Sequence, residues 1–246
     1  MYLIWSYSRD VSAKTERLRE PQQRAERAAR ILDTAANLLT RHGYRRVTMD
    51  DVATEAGIGK GTVYLHWTTR EQLFGAVFAR EVLRAMDGLR QALQRDPQTC
   101  LLHNFARVYF MAVLDRPLLR GLLLGDPHLL GKLAGSPDPA RDDRHAAMAR
   151  GYLALLAEHR LLRDDLNVDE IGHAYQATFE GFLRAEGSAP AGGREQWAEL
   201  LARTVQPAFE KEAAPDVPFQ KLAAATVALL GALIEADRAA FGLPEM

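Results

Sequence analysis

The chain has 246 residues, 48% hydrophobic and 26% charged, which is enough apolar content for a sizeable core and excludes global disorder. A single cysteine, Cys100, excludes an intramolecular disulfide. No apolar run reaches the ~18–20 residues of a membrane-spanning helix, so we expect no membrane partner. With a single cysteine, a cytoplasmic location is the default expectation. The net charge of −1 is unevenly spread: residues 1–72 carry 12 basic and 9 acidic side chains, the remainder 19 and 23. A basic N-terminal part suits contact with phosphates at one end of the molecule.

The N-terminal quarter predicts a tail followed by short helices. Residues 1–23 show no hydrophobic periodicity, and we expect a flexible tail there. Apolar residues at helical spacing begin after Arg24, and the helix is expected to stop at Gly43. Thr48 is a good N-cap for a second, short helix, which should end at Gly57.

The rest of the chain continues the helical pattern. A third short helix is expected from about Lys60 to Trp67, and a fourth, capped by Thr69, runs towards Pro97. Further helical segments, separated by Pro, Gly and Asp clusters, are expected near 98–114, 117–124, 140–161, 168–185, 194–211 and 219–240. Alternating apolar and polar runs bounded by Asn-Gly or Asp-Gly turns are absent from the sequence, which therefore predicts an all-α fold.

The stretch from Thr48 to Arg70 is typical of a helix-turn-helix motif. Ala53 is small where two short helices cross, Gly57 supplies a left-handed turn, and Val63 packs the second helix onto the first. The other face of that second helix presents four hydrogen-bond donors: Lys60, Thr62, Tyr64 and His66. Such a helix fits the major groove of B-DNA.

These residues resemble the TetR family of bacterial repressors, over about Arg24 to Val77. The matching features are the Thr48 cap, the Ala56-Gly57 turn, Lys60-Gly61-Thr62-Val63-Tyr64, Trp67 and Arg70-Glu71-Gln72-Leu73-Phe74. Gly59 departs from the family pattern, which more often has Ser or Ala there, but Gly is an acceptable N-cap. The resemblance implies a three-helix DNA-binding head over residues 24–69 and a helical effector-binding and dimerisation body over residues 70–246.

The resemblance also implies DNA contacts for seven residues, namely Thr48, Lys60, Gly61, Thr62, Tyr64, His66 and Arg70. Thr48, through its hydroxyl or a nearby backbone amide, should meet a phosphate, and Arg70 should meet a further phosphate. Tyr64 and His66 should contact the DNA backbone. Lys60, Gly61 and Thr62 should approach base edges. Lys60 can reach guanine O6 and N7, whereas Gly61 matters through its lack of bulk.

The body offers candidates for an effector pocket and for a dimer interface. Tyr109, Tyr152 and Tyr175 are candidate pocket residues, because a buried phenol needs a hydrogen-bond partner. The pocket itself is implied by the resemblance, and the apolar composition favours a mainly hydrophobic ligand. Small residues recur in the segments 168–185 and 219–240, which predicts a homodimer interface, although burial within one subunit also fits.

Together these features imply a ligand-responsive regulator, most simply a repressor. It would bind a pseudo-palindromic operator as a homodimer and be released by a small, largely apolar effector. Activation in place of repression stays open, as does a helical small-molecule-binding protein whose head no longer reads specific DNA. A helical enzyme is the third reading, but no His pair at helical spacing and no Gly-x-Ser-x-Gly elbow occurs. We therefore expect no catalytic residue, cofactor or metal, and read Cys100 as a packed thiol, with redox sensing as the alternative.

Overall fold

The computed structural model describes residues 5–135, 138–188, 193–212 and 217–243. These residues form α-helices and short 3-10 helices with no strand, which confirms the predicted all-α class. The 3-10 helices are Tyr44–Arg46, Pro97–Cys100, Gly131–Gly135 and Ala185–Ser188. The α-helices are α1 (Trp5–His42), α2 (Met49–Glu55), α3 (Lys60–His66), α4 (Arg70–Arg95), α5 (Leu102–Leu114), α6 (Pro117–Leu124), α7 (Pro127–Leu130), α8 (Pro139–Glu158), α9 (Val168–Arg184), α10 (Gly193–Phe209) and α11 (Phe219–Phe241).

The helix bounds agree with the sequence except at two places. α1 begins at Trp5, so the predicted start at Arg24 is wrong. Hydrophobic periodicity marks where a helix is buried, and the sequence pattern after Arg24 matches the buried residues Ala28, Ile31, Leu32, Ala35 and Leu39. The flexibility expected for residues 1–23 stays a prediction. The second difference is α7, which is too short to show any periodicity.

The head forms around a small apolar core shared by α1, α2 and α3. Val52, Ala53 and Val63 are buried there, as the spacing predicts. Gly57 has φ +64°, a left-handed conformation that a glycine adopts without strain and that turns the chain from α2 into α3. α4 then leads from the head into the body, where it packs against α5 and α11.

α11 is the longest of the strongly apolar helices that the structure describes. By length and composition alone it is long and apolar enough to cross a membrane, which corrects the expectation that no such run exists. It packs along α4 and α8, and Leu222, Leu230 and Leu233 on that side are buried. The residues on its opposite side are small and exposed, namely Ala224, Ala228 and Ala232.

Head and body also meet at a second place, a joint made by Gly43, Tyr44, His128 and Gly131. Tyr44 is only 1% exposed, and its hydroxyl donates to Glu71 Oε1 at 2.8 Å. Gly43 and Gly131 both have positive φ angles, of +72° and +52°. A Cβ on Gly43 would overlap the His128 ring, and one on Gly131 would overlap the Tyr44 ring. The joint therefore fixes the 3-10 turn that leads into α2.

Candidate functional site

The start of α2 is held by a capping box. Thr48 Oγ1 accepts from the Asp51 amide at 3.2 Å, and the Asp51 carboxylate accepts from the Thr48 amide at 2.8 Å and from its hydroxyl at 2.7 Å. The hydrogen bonds from Thr48 lower the pKa of the Asp51 carboxyl. The N-cap prediction for Thr48 is confirmed. Its phosphate contact stays a prediction, in which the hydroxyl exchanges Asp51 for phosphate or a neighbouring amide makes the contact.

Lys60, the first residue of α3, is exposed and paired with a carboxylate from α2. Its Nζ lies 2.7 Å from Asp50 Oδ1 and 5.8 Å from the centre of the Tyr64 ring. The hydrogen bond to Asp50 raises the pKa of the Lys60 ammonium, which is therefore charged. Exposed ion pairs of this kind contribute little stability, so Lys60 can exchange Asp50 for an acceptor on a base. This partner could not be predicted from the sequence, because it lies ten residues away in another helix.

Apart from the contacts of Lys60, the outward face of α3 is largely open to solvent. Gly61 is exposed, and a Cβ added to it would have nothing within 4 Å. Tyr64 is 40% exposed and Leu65 is 78% exposed, whereas Thr62 is half-buried. Leu65 was missed by the sequence analysis, although its position between buried Val63 and Trp67 places it on the opposite face. An exposed leucine on a recognition helix can contact the thymine methyl group in the major groove.

His66, at the end of α3, lies beside two arginines of α1. Burial lowers the pKa of the His66 imidazole first, and the positive charges of Arg24 and Arg27 lower it further. The ring is tilted against Trp67, with ring centres 5.4 Å apart. Arg24 and Arg27 thus extend the positive surface of the head beyond the residues predicted from the motif.

DNA binding is expected to strengthen as the pH falls from about 7 to 5. A DNA phosphate beside Arg24 and Arg27 would offset their charges and favour the imidazolium form of His66. The pKa of His66 would then be higher in the complex than in the free protein, so binding takes up a proton. Affinity rises as the pH falls through the interval between the two pKa values and is constant above it.

The measurement is fluorescence anisotropy of labelled DNA at constant ionic strength, with wild type and His66→Gln compared across that range. The variant should show a flatter pH dependence, because its side chain does not titrate. An equal dependence in both proteins would exclude His66 as the titrating group.

Arg70 positions the loop before α2. Its guanidinium carbon lies 4.3 Å from the centre of the Tyr44 ring, and Nη1 donates to the backbone oxygens of Tyr44 at 3.4 Å and Val47 at 3.3 Å. One guanidinium nitrogen therefore already holds the backbone that carries α2. The phosphate contact predicted for Arg70 stays a prediction, to be made by its other nitrogens.

The three candidate effector tyrosines have different surroundings. Tyr152 is buried, and its hydroxyl donates to the Cys100 carbonyl at 2.8 Å. Tyr109 and Tyr175 both pack on Phe179, with ring centres at 5.4 and 6.1 Å. Burial raises the pKa of Tyr109 to about 12, so the phenol is a donor at neutral pH. The hydroxyl of Tyr175 is buried and has no hydrogen-bond partner among the described residues.

Removing the two hydroxyls is expected to have opposite effects on stability. Tyr152→Phe should lower the free energy of unfolding by about 1–2 kcal/mol, because it leaves the Cys100 carbonyl without its donor. Tyr175→Phe should raise it by about 1 kcal/mol, because it removes a buried donor that pairs with nothing. Urea unfolding of the ligand-free protein measures both. A similar loss in the two variants would mean that Tyr175 has a partner in solution.

The described residues offer little for catalysis or metal binding. No group of three or more His, Cys, Asp or Glu side chains among them could hold a metal ion. Cys100 is buried, and burial raises the pKa of its thiol to about 12, so it is a protonated thiol rather than a reactive thiolate.

Sequence comparison matches the head to known regulators. The model of the bacterial regulatory proteins of the tetR family matches residues 31–77. The transcriptional activator FasR of Mycolicibacterium smegmatis is 35% identical over 71 residues, which cover 29% of this chain and 32% of FasR. The transcriptional repressor Rv3405c of Mycobacterium tuberculosis is 31% identical over 101 residues, or 41% of this chain and 54% of the repressor. Each match therefore spans less than two thirds of the relative.

Structural comparison extends the similarity into the body. A SmeT–triclosan complex superimposes with a TM-score of 0.53 at 19% sequence identity, covering 78% of this chain and 97% of SmeT. At this identity the similarity shows the shared fold. It includes helices well beyond the 47 residues at 31–77 that the family model matches.

Proposed function

We propose that this chain is a cytoplasmic, ligand-responsive transcriptional regulator of the TetR type and not an enzyme, because its head matches the tetR family model and the transcriptional activator FasR. The observation that carries the proposal is the outward face of α3. That face presents Lys60, Gly61 and Tyr64 to solvent on a helix whose other face is packed into the head. An exposed helix that carries donors at its N-terminal end suits the major groove of DNA.

The proposed regulator acts as a repressor. Occupying an operator is sufficient to block transcription, whereas activation needs an additional surface that recruits the transcription machinery. The similar proteins include both a repressor and an activator, so repression by this chain is a proposal and does not follow from the similarity.

Two heads in a homodimer would bind the two halves of a pseudo-palindromic operator. Support for the dimer comes from α11, because only 33% of the most apolar stretch of this helix is buried within one chain. Its exposed side is lined by small residues, and a Cβ added to Gly231 would have nothing within 4 Å. A second copy packed on this side would bury the apolar surface that one subunit leaves open. This favours burial between subunits over burial within one, and exposed Ala174, Ala177 and Gly181 extend the same composition on α9.

The proposed effector is a small, mainly apolar molecule with one hydrogen-bond acceptor. Tyr175 supports this chemistry, since an acceptor on the ligand would satisfy its buried hydroxyl. Phe179 and Tyr109 would supply the apolar contact. SmeT, with the same fold, has been solved with triclosan. An effector that binds one arrangement of the body better than another shifts the heads, and the linkage is reciprocal, so DNA weakens effector binding equally.

Selection of bound sequences from a random DNA pool tests the function. We expect an enriched, approximately palindromic site, with half-sites about one helical turn apart. On that site, Lys60→Ala should cost roughly 1–3 kcal/mol and relax base preference at one position of each half-site. Tyr64→Phe is the matched control on the same helix and should weaken binding to all sequences about equally.

Two outcomes would contradict the proposal. If a folded, dimeric protein enriches no sequence, the head does not read specific DNA, and the protein is a helical small-molecule-binding protein. If Lys60→Ala binds the selected site like wild type with unchanged preference, α3 does not read bases.

A further inference from the structure

A cleft of about 1130 Å³ lies between the head and the body, away from the three tyrosines. Its walls come from α1, the end of α3, the start of α4, the segment 122–133, Asp138 and Arg141, and the end of α11. We call it the junction cleft. Small-molecule sites of roughly 300–1,000 Å³ are typical of proteins, so the cleft is large enough for a ligand.

The walls of the junction cleft are mostly apolar. Trp67 from the end of α3, Phe78 from α4 and Phe241 from α11 line it together with leucines of the segment 122–133. Gly75 of α4 also lines it, and a Cβ there would lie 3.9 Å from Phe241. Aromatic side chains on facing walls suit a flat or extended apolar ligand.

The charged groups of the cleft favour a negative ligand. Both lining carboxylates already have donors: Glu71 accepts from the Tyr44 hydroxyl at 2.8 Å, and Asp138 accepts from the Arg141 amide at 3.1 Å. The Arg141 guanidinium is paired with Asp142 at 3.0 Å. Arg24 has no hydrogen bond or ion pair to any residue that the structure describes. Burial lowers the pKa of His66 in the same wall, and the positive charge of Arg24 lowers it further, so Arg24 lies close enough to act on a charge inside the cleft.

We propose that the junction cleft is a second small-molecule site, which takes an apolar organic anion. The apolar part of the ligand packs between Trp67, Phe78 and Phe241. The carboxylate or sulfonate pairs with Arg24, a cation of the cleft whose donors bind none of the residues that the structure describes.

The site has a regulatory consequence that rests on the proposed function. The ligand touches the end of the recognition helix and the body at once, so it fixes the head relative to the body. An anion on Arg24 also competes with DNA phosphate for the same guanidinium. Binding to the cleft itself requires no DNA and is tested without it.

The experiment titrates the full chain, free of DNA, with 8-anilinonaphthalene-1-sulfonate and follows its fluorescence. N-phenyl-1-naphthylamine, which has the same rings without the sulfonate, is the uncharged probe. Two variants fill the cleft, Gly75→Leu from α4 and Ala25→Leu from α1. Gly88→Leu is the matched control on α4, because its Cβ has nothing within 4 Å and the residue lies outside the cleft. Circular dichroism establishes which variants are folded.

We expect the filling variants to weaken sulfonate binding by about tenfold or more and Gly88→Leu to leave it unchanged. Arg24→Gln should weaken binding of the sulfonate about fivefold and leave the uncharged probe unaffected. If the folded filling variants bind the sulfonate like wild type, the probe binds elsewhere and the proposal fails. If Arg24→Gln changes neither probe, or both equally, the anion selectivity is wrong. Neither failure bears on operator binding.

Discussion

Gly131→Ala is expected to lower the free energy of unfolding by about 2–5 kcal/mol, the sum of backbone strain and overpacking. Gly131 has φ +52° and ψ −121°, a conformation that residues with a Cβ rarely adopt. The added methyl would also overlap the Tyr44 ring. That ring has no room to move, because Phe74 lies edge-on at 5.4 Å and the Arg70 guanidinium lies at 4.3 Å.

Gly125→Ala is the matched control for this substitution. Gly125 also has a positive φ, +67°, but a Cβ added there has nothing within 4 Å. Gly125→Ala should therefore lower the free energy of unfolding only by the cost of the left-handed conformation, about 1–2 kcal/mol. Urea unfolding of the two variants and wild type measures the difference. Equal losses would mean that the Tyr44 ring gives way, and that the joint is looser than its geometry indicates.

The joint also shows where sequence reasoning stops. Thr48 and Thr69 were identifiable as N-caps because a cap and its amide are three residues apart, and both accept from the predicted turn of their helix. The contact of Gly131 with Tyr44 joins residues that are far apart in sequence. Neither the residue types nor their spacing predicts this contact, because glycine is common in loops and a tyrosine can face either the solvent or the core.

The proposed DNA-contacting surface was only partly predictable for the same reason. The outward face of α3 follows from helical periodicity, and the exposure of Lys60 and Tyr64 agrees with it. The outward position of Leu65 also follows from this periodicity, but its side chain has no polar group to mark it as a DNA contact. Asp50 and Arg24 could not be found, because their closeness to α3 depends on how the helices of the head pack.

The proposed effector site was also only partly predictable from the sequence. A buried phenol needs a hydrogen-bond partner, which makes the tyrosines candidates from the sequence alone. Whether a partner already exists depends on the backbone of another element. Tyr152 has one in the Cys100 carbonyl, whereas Tyr175 has none among the described residues. The tyrosine that a ligand would satisfy could therefore be chosen only with the fold in hand.

Gly61→Leu is expected to weaken binding to the selected operator by more than about 100-fold, or about 3 kcal/mol. Gly61 lies in the first turn of α3 beside Lys60, where the helix is proposed to come closest to the base edges. Within the protein the position is open, because an added Cβ meets nothing within 4 Å. The fold should therefore keep its stability, and Gly61→Ala should even gain about 0.5–1 kcal/mol from the lower entropy of its unfolded chain. Any loss of DNA affinity then comes from bulk at the interface.

The test is anisotropy of labelled operator with thermal unfolding of the same samples. Gly61→Ala should fall between wild type and Gly61→Leu in affinity, since one methyl displaces the helix less than a leucine side chain. Gly88→Leu makes the same change on α4, also at a position with nothing within 4 Å of the Cβ, and should bind operator like wild type. A folded Gly61→Leu that binds the operator with wild-type affinity would show that the first turn of α3 does not enter the groove. The base contacts assigned to Lys60 and Thr62 would then be wrong as well, because both residues depend on that approach.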